Sequence, residues 1–297
     1  MSHSAHTFLV GVDGGGTGCR TAVGTLADGV LAQAQGGRAN AATDPDMAIR
    51  NILIAVNAAA KKAGIPKSAL KNAVAHLGLA GVMTQKDAQR IAMALPFEKS
   101  LVTDDRPTAV NGALGGEDGY LLSVGTGTIS AANRSGTFSY IGGWGFHVAD
   151  QGSGAWLGRA SLEQTLLCHD GLAEHTELTR TLFARFEDDP NAIVAFSMSA
   201  KPGDYGALAP MIVSAANNGD PWGSAIMRKG ADYLTRCLDA LGFRPGDRMC
   251  LSGGVGPHYA AYLPDECLTG RVASKGTALD GAFSLARAAA TSLQEDA

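Results

Sequence analysis

The sequence predicts an α/β protein of two domains, because a buried strand that runs into a glycine-rich turn occurs twice in the chain. The first copy is an apolar strand at residues 9–12 followed by a turn at residues 13–17. The second is a strand at residues 119–124 followed by a turn at residues 125–128. Strands alternate with amphipathic helical patterns after each copy, which is typical of helices packed on sheets. Ligands of such sheets bind beyond the carboxyl ends of the strands, so both turns are candidate ligand contacts.

Capping residues define the helices of the first half. Asp44 is a predicted N-cap followed by Pro45, and apolar residues at helical spacing continue to Gly64, which ends this helix. Thr84 and Asp87 form a predicted capping box. The other elements predicted for this half are a hairpin over residues 21–34, a buried strand over 74–80, a helix from the capping box to residue 95 and a short strand over 100–103.

The second half is predicted to be mostly helical after its first strands. Ser153 and Asp220 are the predicted N-caps of two of its helices, and Pro221 occupies the first turn of the second. The predicted elements are a hairpin through residues 133–136, helices over 153–168, 220–242 and 277–290, and a strand over 249–252 that ends in Gly253 and Gly254.

Composition and charge exclude several classes of function. The chain of 297 residues is 45% apolar and carries a formal net charge of −4, so it can bury a sizeable core and has no basic field for nucleic acid or an anionic membrane. Its 5 cysteines are scattered and lack C-x-x-C spacing. Neither a secretory signal nor an apolar run of about 18 residues is present. We therefore expect a cytoplasmic protein with reduced thiols and with neither a membrane nor a nucleic-acid partner.

Both glycine turns are interpreted as phosphate-binding turns. Glycine has no Cβ atom, so the backbone is free to take left-handed dihedral angles and to bring its N–H groups onto phosphoryl oxygens. A glycine-rich hairpin is the alternative for a single turn, and the second copy favours the phosphate interpretation. Asp13, directly before the first turn, is a candidate ligand of Mg²⁺ through water. The P-loop and Rossmann patterns, G-x-x-x-x-G-K-[ST] and G-x-G-x-x-G, are not matched.

Asp104 and Asp105 follow the short strand at residues 100–103 and are candidates for a general base. Phosphoryl transfer to a hydroxyl needs phosphates held in line and a group that takes the hydroxyl proton. Neighbouring residues on a strand point to opposite faces, so only one of these carboxylates is expected to face a substrate.

Three further positions each have two interpretations. Asn40 precedes a helix by a few residues and is either a turn residue or a residue that binds a ligand. Asp150 is either a cap of the helix that begins at Ser153 or a carboxylate of the cleft. Trp144, which follows Gly143, is either a stacking residue of a pocket wall or a core residue.

The motifs together resemble those of the sugar kinase, Hsp70 and actin superfamily. The glycine turns match its two phosphate motifs, residues 251–256 match its adenosine motif, and residues 276–282 match its second connecting motif. A narrower similarity, to the N-acetylglucosamine kinase and BadF/BadG/BcrA/BcrD ATPase family and within it to bacterial glucosamine kinases, rests on Asn40 and on residues 103–105, 142–145 and 150–154.

This resemblance implies two actin-like (ribonuclease H-like) ATPase domains with a central nucleotide and sugar cleft. The first domain is expected at residues 1–112, joined by the C-terminal helix at about residues 283–297, and the second at residues 113–282. The implied activity is ATP-dependent phosphorylation of the 6-hydroxyl of an amino sugar, with ATP and Mg²⁺ as cofactors. A homodimer is implied by the same analogy.

The resemblance also implies roles for single residues. The family has its catalytic carboxylate at the second position of the aspartate pair, which implies that Asp105 is the base and Asp104 a structural neighbour. Asp13 is the expected metal residue. The implied sugar-binding residues are Asn40, Asp105, Gly143, Trp144 and Asp150. The implied ATP-binding residues are Gly14, Gly15, Gly16, Thr17, Gly125, Thr126, Gly127, Thr128, Gly253 and Gly254.

The choice of sugar and two rival functions stay open in the sequence. Gln151 stands where many N-acetylglucosamine kinases have Glu, which favours glucosamine over N-acetylglucosamine. An ATPase activator with an iron–sulfur cluster would need grouped cysteines, and a sugar-sensing regulator would need a DNA-binding segment and a basic face. The sequence shows neither pattern, so both are less favoured than a kinase.

Overall fold

The computed structural model describes residues 7–295 of the chain. The chain divides into two compact units: the first runs up to Glu117 and resumes at Ser274, and the second is Asp118–Ala273. The domain boundaries expected after residues 112 and 282 stay a prediction.

Both halves of the chain contain strands and helices, and the second half is mostly helical after its first strands, as the sequence patterns predict. The strands are β1 (Phe8–Gly14), β2 (Cys19–Thr25), β3 (Gly29–Gly36), β4 (Val74–Leu79), β5 (Lys99–Thr103), β6 (Gly119–Val124), β7 (Thr128–Arg134), β8 (Thr137–Gly142), β9 (Met249–Ser252) and β10 (Arg271–Val272). The helices are α1 (Pro45–Lys62), α2 (Gln85–Ala94), α3 (Arg106–Leu114), α4 (Gly154–His169), α5 (Glu177–Ala184), α6 (Pro190–Ser199), α7 (Pro202–Gly206), α8 (Ala209–Asn217), α9 (Pro221–Ala240), α10 (Asp265–Leu268) and α11 (Ala278–Glu295), with 3₁₀ helices at Lys67–Asn72 and Gly256–Ala261.

The sheet of the first unit has the strand order β3-β2-β1-β4-β5 within the described residues. β1, β2 and β3 pair antiparallel, whereas β4 pairs parallel with both β1 and β5. The carboxyl ends of β1, β4 and β5 therefore lie at the same edge of the sheet. This edge carries the first glycine turn and the aspartate pair.

The caps predicted from the sequence begin the helices of this unit. The Asp44 carboxylate accepts the backbone N–H of Met47 at 2.8 Å at the start of α1. Thr84 and Asp87 form the reciprocal capping box of α2. α3 was not predicted from spacing, because its buried positions do not follow a single helical stripe.

Alternate residues of β1 face the two sides of this sheet. Val10 and Val12 pack in the core that contains α1, whereas Leu9 packs with Phe283 of α11 on the other side. A Cβ atom placed on Gly11 would lie 2.6 Å from the backbone nitrogen of Phe283. Glycine at this position therefore allows α11 to pack directly against β1.

The second unit repeats the topology of the first. Its described strands form a sheet in the order β10-β9-β6-β7-β8, in which β6, β7 and β8 are antiparallel and β9 pairs parallel with β6 and β10. The second glycine turn joins β6 to β7, just as the first joins β1 to β2. The internal repeat predicted from two short turns is thus a repeat of the whole sheet.

Replacing Gly11 by Ala tests the contact between β1 and α11. The added methyl group would overlap backbone atoms of Phe283, so we expect the free energy of unfolding to fall by about 1–3 kcal/mol. Urea denaturation measures this difference. Gly203→Ala is the matched control, since a Cβ atom there meets nothing within 4 Å and its stability should be unchanged or slightly higher. Equal stabilities for the two variants would contradict the packing argument.

Candidate functional site

The first glycine turn is an open hairpin between β1 and β2. The N–H of Gly15 donates to the carbonyl of Gly18 at 2.9 Å and closes the turn. None of Gly14, Gly15 and Gly16 has a positive φ, so left-handed backbone freedom does not explain these glycines and that part of the sequence argument was wrong. A Cβ atom on Gly14 would lie 2.6 Å from Leu79, whereas one on Gly16 would meet nothing within 4 Å. Close packing against Leu79 therefore requires glycine at position 14, whereas Gly16 leaves the backbone open to a ligand.

Asp13 forms an ion pair with Arg20 across the same hairpin. Asp13 and Arg20 are partners in the register of β1 and β2, and the Nε atom of Arg20 donates to the Asp13 carboxylate at 3.1 Å. The side chain of Asp13 is largely shielded and that of Arg20 is half exposed. The carboxylate predicted to face a metal ion is thus held in place by an arginine.

Asn40 lies in a loop that is tied to the first glycine turn. The N–H of Ala39 donates to the carbonyl of Gly15 at 3.0 Å. The Asn40 side-chain oxygen accepts the backbone N–H groups of Ala42 and Thr43 at 3.0 and 3.1 Å. The oxygen of Asn40 therefore has the turn role, while its amide Nδ2 has no protein partner in the described residues.

The two adjacent aspartates have different electrostatic surroundings. The side chain of Asp104 accepts the backbone N–H of Arg106 at 2.9 Å and two hydrogen bonds from its guanidinium at 2.6 and 2.9 Å. Although partial burial acts in the opposite direction, these bonds and the positive charge hold the pKa of Asp104 below its usual value. Asp104 is therefore committed to an ion pair.

Asp105 is the N-cap residue of α3, beyond the end of β5, with φ of −75° and ψ of −8°. The strand alternation used to separate the two aspartates is therefore not the reason for their difference. The side chain of Asp105 makes no capping hydrogen bond and keeps contact with solvent. Desolvation by surrounding protein atoms raises its pKa, and the negative charges of Asp104 and Asp13 raise it further.

The second glycine turn is held by the start of α4. The N–H of Gly125 donates to the carbonyl of Gly127 at 2.9 Å, and the N–H groups of Gly154 and Ala155 donate to the carbonyls of Gly125 and Thr126 at 2.7 and 3.2 Å. A Cβ atom on Gly125 would meet nothing within 4 Å. As at the first turn, open backbone remains on the outside of a fixed turn.

Asp150 is a buried carboxylate in a left-handed backbone conformation, with φ of +63° and 7% of its surface exposed. Burial raises its pKa, although the backbone N–H groups of Thr128 and Gly145 donate to the carboxylate and act in the opposite direction. Its Oδ1 atom has no hydrogen-bond partner in the described residues. Ser153, whose Oγ accepts the N–H of Trp156 at 3.1 Å, is the cap of α4, so the capping interpretation of Asp150 was wrong.

The loop after β8 exposes an aromatic side chain. Trp144 is 77% exposed, which excludes its interpretation as a core residue. Gly143 beside it has a φ of +74°.

The two threonines of the second glycine turn differ in exposure. The side chain of Thr128 is buried, whereas Thr126 is exposed.

A cavity of about 740 Å³ lies within the second unit next to its glycine turns. Gly125, Thr126, Gly254 and His258 contribute to its lining. A Cβ atom on Gly254 would meet nothing within 4 Å. The cavity is also lined by Ser214 and Asn217 of α8 and by Asn218, the C-cap residue of that helix. No sequence motif indicated α8, because these residues belong to an ordinary helical pattern.

The two units thus present different groups. The first brings together Asp13, the first glycine turn, Asn40 and Asp105, and the second brings together its glycine turns, Asp150 and the cavity. No group of three or more His, Cys, Asp or Glu side chains arranged to hold a metal ion occurs in residues 7–295. No helix in the same range is long and apolar enough to cross a membrane.

Two α/β units of one topology, each with a glycine turn after its first strand, define the actin-like ATPase fold. Residues 10–264 match the BadF/BadG/BcrA/BcrD ATPase family, and this chain belongs to that family, as the sequence motifs predicted. Because the family is one of ATPases, ATP is the nucleotide.

Relatives and solved structures agree with this assignment. The glucosamine kinase of Vibrio cholerae is 32% identical over 281 residues, which are 94% of this chain and 95% of the relative. A structure from Chromobacterium violaceum, provisionally described as an N-acetylglucosamine kinase, is 32% identical with a TM-score of 0.83 and covers 95% of this chain and 99% of its own. A ROK family glucokinase from Streptomyces griseus, in complex with glucose and AMPPNP, shares the fold at 17% identity and a TM-score of 0.56, over 95% of this chain and 99% of its own.

Replacing Asp150 by Asn tests whether this carboxylate has a stabilising role. A buried carboxylate with an unpartnered oxygen and a raised pKa disfavours folding at neutral pH, so we expect Asp150→Asn to be at least as stable as the natural chain. Urea denaturation near pH 7 measures this. Ser153→Ala, which removes the cap of α4 in the same loop, should lose about 1 kcal/mol. If Asp150→Asn lost as much stability as Ser153→Ala, a structural role for the carboxylate would be supported instead.

Proposed function

We propose that this chain is an ATP-dependent kinase that phosphorylates the 6-hydroxyl of an amino sugar, with glucosamine as the favoured acceptor. The observation that carries the proposal is the contrast between two adjacent aspartates. Asp104 forms an ion pair with Arg106, whereas Asp105 makes no capping bond, keeps contact with solvent and has a pKa raised mainly by the protein atoms around it. A carboxylate that is accessible, unpaired and raised in pKa is suited to take a proton from a hydroxyl group.

In the proposed reaction the oxygen of the sugar 6-hydroxyl attacks the γ-phosphorus of ATP, and Asp105 accepts the proton of that hydroxyl. A new oxygen–phosphorus bond forms, the bond between the γ-phosphorus and the bridging β-γ oxygen breaks, and ADP leaves. A base with a raised pKa holds the proton more strongly than an ordinary aspartate. Asp105 later releases the proton to solvent, which its exposure allows.

The open glycines support the position of the nucleotide. Gly16, Gly125 and Gly254 each leave space where a Cβ atom would otherwise stand. We assign the phosphates to backbone N–H groups of the two turns, and the adenosine to the 740 Å³ cavity beside Gly254.

Asn40 in the first unit and Asp150 in the second each carry an unpartnered polar atom that suits a sugar. Asn40 has a free amide donor, because its oxygen is occupied by the turn. Asp150 has a buried and unpartnered acceptor, Oδ1. We assign the first to a sugar hydroxyl oxygen and the second to a sugar O–H or ammonium group. A backbone held at positive φ with an orphan oxygen is typical of a functional position rather than of a stabilising one.

Asp13 is the residue that we assign to Mg²⁺. Mg²⁺ prefers oxygen ligands and keeps several waters, so one fixed carboxylate beside ATP phosphates suits it. Asp13 and Asp105 are close enough for their negative charges to interact, which favours a cation there. The ion, when bound, would neutralise phosphate charge, and Arg20 keeps the Asp13 side chain oriented.

The sugar class is the finer part of the proposal. Gln151 is neutral and adjoins Asp150, which supports an acceptor of the glucosamine type, as does the 32% identity to a glucosamine kinase. The resemblance to a structure described as an N-acetylglucosamine kinase keeps the acetamido sugar as the alternative. We also propose a cytoplasmic location, since all five cysteines are free, and a homodimer by analogy with the family.

Replacing Asp105 by Asn tests the base. The amide keeps the shape of the side chain but cannot take the proton, so kcat should fall by about 10²–10⁴-fold while sugar binding stays within about tenfold. Steady-state kinetics and calorimetric sugar binding measure both quantities. Asp104→Asn is the matched control and should reduce kcat much less. If the two variants exchanged these effects, Asp104 would be the base.

The acceptor is tested by measuring ADP release with glucosamine, N-acetylglucosamine, glucose and N-acetylmannosamine, in the presence of ATP and Mg²⁺. We expect turnover to depend on an amino sugar and kcat/KM to be highest for glucosamine. A higher kcat/KM for N-acetylglucosamine would correct the sugar but keep the reaction. ADP release at the same rate without any sugar would contradict the kinase and support an ATPase.

A further inference from the structure

His76 is a buried imidazole on β4 that the proposed reaction does not use. Its Nε2 atom lies 3.3 Å from Oγ1 of Thr103 on the neighbouring strand β5. Oγ1 of Thr103 in turn donates to the backbone carbonyl oxygen of Asp104 at 2.8 Å. These two contacts connect the interior of the sheet to the peptide group that precedes Asp105.

The direction of this chain of hydrogen bonds follows from the hydrogens available. A threonine hydroxyl has one hydrogen, and that of Thr103 is given to the carbonyl of Asp104, so its oxygen can only accept from His76. The proton of the imidazole is therefore on Nε2. Burial lowers the pKa of His76 to about 4, so the ring is a neutral donor near pH 7.

The carbonyl of Asp104 matters because it belongs to the same rigid plane as the nitrogen and Cα atoms of Asp105. A hydrogen bond to that oxygen fixes the orientation of the plane. The side chain of Asp104 is fixed separately by Arg106. The backbone from which the Asp105 side chain leaves is thus held by two independent sets of bonds.

We propose that His76 and Thr103 are positioning residues that hold the Asp104–Asp105 peptide so that the Asp105 carboxylate is aimed at the acceptor hydroxyl. This inference rests on the proposed function for the role of Asp105. Transfer reactions are sensitive to such aim, since a displacement of about 1 Å can reduce a rate about 100-fold.

Thr103→Val removes the hydroxyl and nearly keeps the shape of the side chain. We expect kcat to fall about 10- to 100-fold with KM for the sugar within about threefold, and Thr103→Ser to restore kcat to within about threefold. Ser100→Ala is the matched control on β5, because the Ser100 hydroxyl is buried and has no partner in the described residues. It should leave kcat unchanged. An unchanged kcat in Thr103→Val, or an equal loss in Ser100→Ala, would overturn the proposal.

Combining Thr103→Val with Asp105→Asn separates positioning from general weakening of the fold. If Thr103 acts through Asp105, adding Thr103→Val should reduce kcat little beyond the loss caused by Asp105→Asn alone. If Thr103→Val reduced kcat in the Asp105→Asn background by the same factor as in the natural chain, Thr103 would act elsewhere and the proposal would be overturned.

A nuclear magnetic resonance measurement tests the network without any turnover. The ¹⁵N signals of the His76 ring, identified by their absence in His76→Gln, should show a neutral ring protonated on Nε2 near pH 7. A ring protonated on Nδ1, or a charged ring, would overturn the hydrogen-bond chain even in an active kinase. A correct tautomer in a protein without sugar-dependent turnover would instead refute only the proposed function.

Discussion

The ion pair between Asp104 and Arg106 is the interaction on which the account of the site depends. Two carboxylates that are adjacent in the chain repel each other unless one is neutralised, and here Arg106 binds the first through both its backbone N–H and its guanidinium. Arg106 lowers the pKa of Asp104. Desolvation is the main cause of the raised pKa of Asp105, and the negative charges of Asp104 and Asp13 act in the same direction. The ion pair at Asp104 and the desolvation of Asp105 therefore give two identical side chains different chemical properties.

The parallel strands place this aspartate pair at the edge of the sheet where ligands of such folds bind. β1, β4 and β5 all end at one edge, so the first glycine turn, the loop of Asn40 and the aspartates come from separate parts of the sequence to the same place. The second unit repeats the arrangement with its own turn, which α4 fixes through backbone hydrogen bonds. In both units backbone hydrogen bonds close the turn, while Gly16 and Gly125 keep its outer side open.

The sequence predicted the family, the α/β class and five of the eleven α-helices of the described residues, because glycine turns, caps and apolar spacing are local signals. It did not predict why Asp105 differs from Asp104, since the cause is a hydrogen-bonding pattern at the end of β5 rather than strand alternation. It also did not indicate the unpartnered oxygen of Asp150, which depends on burial by residues distant in sequence. The polar residues that α8 brings to the cavity were likewise missed, because only the fold brings them near the glycine turns.

In the proposed site Asp105 is the free carboxylate of the pair, and Asp104 is held in an ion pair with Arg106. A pH titration of the side-chain ¹³C carboxyl signals, with each aspartate identified by its Asn variant, tests this most directly. We expect Asp105 to titrate above the usual pKa of an aspartate, because of desolvation and of the charges of Asp104 and Asp13, and Asp104 to titrate below it. A higher pKa for Asp104 than for Asp105 would contradict the assignment of the base.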